Sequence, residues 1–321
     1  MPVGNVLTAA VGKKKKKSFK VHLQETARLW QLYLMFLPPL IFVFVFHYFP
    51  MYGAQIAFRN YSPILGFTES PFVGLVHFRR FFNSNEISML LRNTIGISLY
   101  NLAATFPIPI ILALMLNYVK NNKYRKSVQM ITYAPYFIST VVMVGIILEV
   151  LSPRTGIVNT LIKGLGLDPV NFMGTASYFK SIFVWSNVWQ HTGYGAIIYI
   201  AALAGIDPSL HEAAVVDGAN KFQRIRHIDI PGIMPTAVIL LILNTGQLLN
   251  TGFEKILLMQ NPLNMRTSQV IDTYVYQIGI AGQTTNFSYP TAIGLFKSVV
   301  SLIMLVLVNQ MARKYSESSL W

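Results

Sequence analysis

"EAAVVDGANKFQRIRHIDIPGIMP", Glu212 to Pro235, carries six full charges in a chain that is otherwise poor in them. Long apolar runs approach it from both sides, and their length decides what kind of fold can hold it. Of the 321 residues, 53% are hydrophobic and 12% charged, about half the charged share of a typical soluble domain. A bilayer core takes about 20 apolar residues as helix, and hydrocarbon penalises every backbone group left without a partner. Six segments meet that requirement, near residues 32–58, 93–119, 127–148, 181–206, 230–253 and 288–311. The sequence therefore predicts an all-α integral membrane protein of six transmembrane helices within residues 31–312. A basic segment, residues 1–30, precedes it, and a short tail, residues 313–321, follows. Pro38, Pro39, Pro107, Pro109 and Pro135 fall inside these segments, where packed membrane helices absorb them as kinks.

Lysine and arginine set the orientation. With the N-terminus inside, the cytoplasmic segments hold 16 of them and the outer loops nine, the bias expected when both termini are cytoplasmic. By the same parity the opening segment lies in a cytoplasmic loop, residues 207–231. The run Lys13 to Lys17, just ahead of a membrane span, reads as an anchor to anionic lipid headgroups rather than a nucleic-acid contact. The first apolar run outlasts a signal peptide and has no small-residue cleavage pattern, so it reads as a retained helix.

Chemistry is sparse. There is no cysteine, so thiolate metal sites and cysteine nucleophiles are excluded. Neither a phosphate-binding G-x-x-x-x-G-K-[ST] loop nor a G-x-S-x-G elbow occurs, so the chain has no nucleotide or acyl-transfer site of its own. "HEAAV", His211 to Val215, begins like the zinc motif H-E-x-x-H, but Val215 stands where the second ligand belongs. No catalytic residue and no metal or cofactor site is expected in this chain.

The loop contains signals for two short helices. Asp207 suits an N-cap, Pro208 the first helical position, and Gly218 a left-handed C-terminal turn. A second helix is expected from Asn220 toward Ile228, with a break at Pro231 before the fifth span. On physical grounds alone such a knob either lies on the headgroups or docks on a soluble partner. The adjacent spans carry polar stripes. Asn187, Gln190, His191 and Tyr194 share a helical face at i, i+3, i+4 and i+7, and Asn244, Gln247, Thr251 and Glu254 are read as a second face. Either set lines a hydrophilic route or glues helices together. Trp185 and Trp189 read as interface anchors. Lys297, inside the sixth span, costs about 2.5–3.5 kcal/mol there. It requires a carboxylate partner, an aqueous cavity or an anionic ligand, unless it snorkels to the interface.

Glu212-Ala213-Ala214, three residues, Gly218, nine residues, then Ile228-Asp229-Ile230-Pro231 resembles the E-A-A loop of binding-protein-dependent ABC importer permeases. Ile230 replaces the usual leucine. "LPPLIFVFVFHYFPMYGAQIAFRNYSP", "FVGLVHFRRFF", "YAPYFISTVV", "LAGIDPSLHEAAVVDGA", "VIDTYVYQIGI" and the terminal "SSLW" extend the resemblance from Tyr33 to Trp321. They are similar to the oligosaccharide and polysaccharide branch of the carbohydrate-uptake permeases, alginate importers among them. The resemblance implies a type I importer permease in a bacterial cytoplasmic (inner) membrane. It implies a second homologous permease, two ATPase subunits that bind ATP and Mg, and an extracytoplasmic solute-binding protein. It also implies that Glu212, Ala213, Ala214, Asp217, Gly218, Ile228 and Pro231 couple to the ATPase, and that the cargo is a saccharide, alginate or another acidic glycan. An ATP-independent six-span transporter or channel would explain the composition but gives the E-A-A pattern no task.

Overall fold

The computed structural model describes residues 29–282 and 286–315. The lysine run Lys13 to Lys17 and the terminal "SSLW" lie outside the described residues. Within them the chain is helical, with one isolated antiparallel bridge between Arg59 and Phe72. It divides into two units, residues 1–55 and 56–321. The helical run Trp30–Phe58 (α1) fills the described part of the first and ends just inside the second. From Trp30 to Tyr52 its side chains, Phe36, Phe44 and Phe46 among them, are exposed and mostly apolar.

The second unit packs the remaining spans. Glu86–Thr105 (α3) continues into Pro107–Asn117 (α4), preceded by the short helix Val76–Phe82 (α2). Asn122–Tyr133 (α5) and Thr140–Val150 (α6) follow, then Phe179–Ala204 (α8) after a small helix Ile157–Gly164 (α7). The opening segment contributes Pro208–Val216 (α9) and the start of Lys221–Gly246 (α10). Phe253–Met259 (α11), Met265–Ser268 (α12), Ile271–Gly279 (α13) and Ser288–Tyr315 (α14) complete the fold.

Four of these runs are long and apolar enough to cross a membrane singly, and six if two bent pairs each count as one span. The expected third span is one of the bent pairs, broken by 102° between α5 and α6. Pro135 sits in a 3₁₀ turn, Ile138 is extended, and the Ser139 hydroxyl caps α6 by accepting from the Val142 amide at 3.4 Å. A proline followed by a fresh N-cap restarts a helix in a new direction. The other pair is α8 and α9, bent by 71°. α8 has 26 residues, about 39 Å at about 1.5 Å per residue, and its polar stripe is what dilutes its hydropathy.

One expectation is corrected. Pro231 does not break the chain before the fifth span, because α10 runs unbroken from Lys221 to Gly246. Residues Ile225–Asp229 form a π turn, in which the Ile230 amide reaches back to the Ile225 carbonyl. That wider turn lies immediately before Pro231, where a regular helix would bring the proline ring against the carbonyl four residues back.

α8 is the central strut. Its Phe179, Phe183, Val184 and Val188 join Ile97 of α3, Met143 and Val144 of α6 and Ile256 of α11 in one buried cluster. Its Ala196, Tyr199 and Leu203 join Ala113 of α4 and Ile233 and Ala237 of α10 in a second. Between them Gly193 faces α5 so closely that a β-carbon would lie 2.1 Å from the Thr132 carbonyl oxygen. Small residues at such crossings let membrane helices approach through their backbones. Gly193→Val should therefore force α5 and α8 apart and lower stability by about 1–3 kcal/mol. A thermal unfolding scan in detergent that finds Gly193→Val as stable as wild type would rule this out.

Candidate functional site

Two places hold the residues that the sequence singles out. The first is the knob at α9. Asp207 caps it, its carboxylate accepting from the Ser209 amide at 2.9 Å, and Pro208 takes the first position. That backbone hydrogen bond holds the Asp207 carboxyl below its ordinary range. At the other end the Gly218 amide donates to the Val215 carbonyl at 3.0 Å and the Ala219 amide to Ala214 at 2.8 Å, with Gly218 at φ +78°. This double closure needs a left-handed residue, which is the glycine's task. Glu212, Ala213, Asp217 and Gly218 are exposed and Ala214 is half-buried. Leu210, Val215 and Val216 add exposed apolar surface, Val216 at 87% exposure, and Phe222 on the next arm is exposed as well. Ile228 is half-buried and Pro231 exposed along α10.

A buried carboxylate ties this knob to the bundle. Asp229 is fully buried; it accepts from the Tyr118 hydroxyl at 2.7 Å and lies 3.4 Å from His211 Nε2 of α9. The Arg224 guanidinium sits over the Tyr118 ring. Asp229 was legible only as an unassigned letter in the motif. Its signal is an acid at the edge of a membrane span, where burial requires partners.

The second place is a polar cavity of about 750 Å³ between α3, α8 and the chain that follows α10. α8 contributes Asn187, Gln190 and His191, α3 adds Ser98, Asn101 and Thr105, and the third wall holds Asn244, Gln247, Asn250, Thr251, Glu254 and Lys255. The two predicted stripes thus face one space, apart from Tyr194. That ring stacks on Tyr136 at 3.9 Å between centroids, outside the cavity lining. The second stripe is not one helical face. α10 ends at Gly246, Gln247 begins a turn, and Glu254 lies on α11. Gly252 at φ +76° turns the chain back so that the stretch still presents one wall. Trp185 donates to the Tyr100 hydroxyl at 3.0 Å, and Trp189 lines a separate apolar crevice with Ile111 and Met115. Neither tryptophan lines the polar cavity.

Lys297 has found its carboxylate. Its Nζ lies 2.5 Å from Asp272 Oδ1 of α13, and the pair borders a shallower hollow with Tyr276 and Asn250. The lysine that does reach the main cavity is Lys255, only 5% exposed. Its Nζ donates to Asn187 Oδ1 at 2.7 Å and Gln190 Oε1 at 3.5 Å. Sequence reasoning assigned Lys255 to an outer loop; what hid it is that α11 folds back toward α8. Removing one partner of the Lys297–Asp272 pair strands the other charge. Lys297→Met and Asp272→Leu should each reduce folded yield, and the double variant should recover most of it. Additive losses in the double variant would exclude the pair as the lysine's reason for being there.

Comparison with known proteins gives the following. Residues 105–317 match the family described as binding-protein-dependent transport system inner membrane component. Protein LplB of Bacillus subtilis is 41% identical over 290 residues, 90% of this chain and 91% of that protein. The polygalacturonan/rhamnogalacturonan transport system permease protein YteP, also of Bacillus subtilis, is 40% identical, with 90% of both chains covered. Among solved structures, a chain of a bacterial alginate ABC transporter in complex with an alginate pentasaccharide-bound periplasmic protein superposes with a TM-score of 0.85. It is 39% identical and the match covers 92% of this chain and 99% of that one.

Proposed function

Because the chain belongs to the family of binding-protein-dependent transport system inner membrane components, we propose that it forms half of the translocation pathway for an acidic oligosaccharide, with α9 as its coupling helix. At the coarser level it is a permease subunit of a sugar ABC importer with several apolar membrane helices. The family is the membrane component of such importers, so hydrolysis belongs to partner ATPase subunits that bind ATP and Mg. The other half of the pathway is a second permease, and cargo arrives on an extracytoplasmic binding protein. The membrane is the bacterial cytoplasmic one, with both termini inside.

The observation that carries this reading is the knob. A helix bounded by Asp207 and Gly218 stands at 71° to α8 and presents Glu212, Ala213 and exposed Leu210, Val215 and Val216 with no neighbour among the described residues to cover them. Small and apolar residues around one carboxylate fit a cleft in a soluble protein better than a headgroup layer, which would favour lysine and arginine on that face. The acidic cargo is supported by the relatives. YteP is named for polygalacturonan, a polyuronate, and the superposed structure is an importer of the acidic polysaccharide alginate. The polar cavity offers a route through the subunit, with Asn187, Gln190, His191, Asn244, Gln247, Thr251 and Glu254 on its walls.

Glu212→Lys and Gly218→Val, each made in the complex co-expressed with its ATPases, second permease and binding protein, should reach the membrane at normal levels. Both should lose transport and saccharide-stimulated ATP hydrolysis, by at least 10-fold for the charge reversal at a desolvated contact, about 1.4 kcal/mol or more. Unchanged transport in both would return the knob to a surface linker. Reporter fusions after Asn122 and Ala219 should report cytoplasm, and fusions after Gly66, Gly164 and Asn264 the outer side. A cytoplasmic signal at Gly164 would refute the orientation.

A further inference from the structure

The cavity wall holds an ammonium, Lys255, that no carboxylate among the described residues neutralises. Lys255 is 5% exposed, and among the described residues its Nζ donates to two amide oxygens, Asn187 Oδ1 at 2.7 Å and Gln190 Oε1 at 3.5 Å. Both amides are held in that orientation by their other ends. Asn187 Nδ2 donates to Asn101 Oδ1 at 3.0 Å, and Gln190 Nε2 donates to the Ile138 carbonyl at 3.0 Å. The ammonium is thus aimed by a fixed frame, with the Phe183 ring 5.8 Å away on one side. An ammonium has three donors, and the longer of its two contacts is at the limit of a hydrogen bond. Glu254 also lines the cavity, but the ion pairs found among the described residues do not join it to Lys255.

A buried charge without a counter-charge is costly, so a fixed one in a cavity wall calls for an anion from outside. Two further lining residues have unmet polar capacity. Ser98 and Thr251, 5% and 7% exposed, carry buried hydroxyl oxygens with no hydrogen-bond partner among the described residues. The cavity of about 750 Å³ falls within the roughly 300–1,000 Å³ that encloses small ligands. A cation and neutral hydroxyl and amide groups around one such space match a ring that carries one carboxylate and several hydroxyls.

Resting on the reading of the chain as a saccharide permease, we propose that Lys255, framed by Asn187 and Gln190, is a carboxylate subsite that selects uronate residues during passage. Lys297 has no part in this selection, since its charge is spent on Asp272.

The test uses the full complex in proteoliposomes with its binding protein. The probes are a galacturonate trisaccharide and the same trisaccharide with its carboxyls methyl-esterified. Lys255→Met should raise the apparent KM for the acid about 10-fold or more, the loss expected when a charge-assisted hydrogen bond is removed. The ester should change less than about threefold, and Lys255→Arg should restore most of the acid's KM because it keeps the charge. The binding protein is identical in every arm, so its own preference cancels when variant is compared with wild type. Equal losses for acid and ester would show that Lys255 only props Asn187 and Gln190, and an unchanged KM for the acid would show that it touches no cargo. Either result overturns the subsite while leaving the importer in place. If the wild type takes up the ester and not the acid, the acidic-cargo reading falls and the subsite falls with it. If it takes up the acid alone, the acid's KM in Lys255→Met and its recovery in Lys255→Arg decide.

Discussion

Hydrocarbon answers no hydrogen bond, so a helix that carries Asn187, Gln190 and His191 across a bilayer must find protein or water on that side. α8 meets this demand by turning its polar face to α3 and α11 and its apolar face to two buried clusters. The hydrogen bonds from Asn187 to Asn101 and from Lys255 to Asn187 close the polar side. The apolar side closes only because Gly193 and Ala196 let α5 and α4 come near the α8 backbone. Each side depends on the other. A polar stripe without close packing behind it would leave the helix facing lipid with its amides unmet.

The same helix links the two places of interest. From Asn187 in the cavity wall to Asp207 at the knob is twenty residues, about 30 Å of nearly continuous helix, and α9 follows at 71°. In the proposed coupling role, a force on α9 would act at the end of the cavity wall. The fully buried Asp229, bonded to Tyr118 and close to His211, links α9 to α10 and to the residue that follows α4. A rigid joint suits the coupling role proposed for α9, because a loose hinge would dissipate motion instead of passing it on.

The local signals on this chain were strong where a single residue has few alternatives. Asp207-Pro208 and Gly218 bound α9 as their backbone preferences require. Pro231 misled, because a proline's effect depends on the turn in front of it, and the π turn at Ile225–Asp229 has no marker in composition. Pro135 had the opposite effect. Absorption as a kink was expected, and instead the Ser139 cap after it restarts the helix at 102°.

The amino-acid sequence by itself determined the membrane class, the apolar segments, the polar stripe on α8 and the knob with its caps, because hydropathy, helical period and backbone preference all act over a few neighbouring residues. The tertiary structure alone decided which charge faces the cavity. Lys297 and Lys255 look alike as letters, one inside a span and one beside it. The fold gives the first a carboxylate from α13 and brings the second to amides on α8, 68 and 65 residues away in sequence. Such pairings are set by how helices cross, and crossing is governed by the close approach of backbones at positions such as Gly193, which no local pattern specifies.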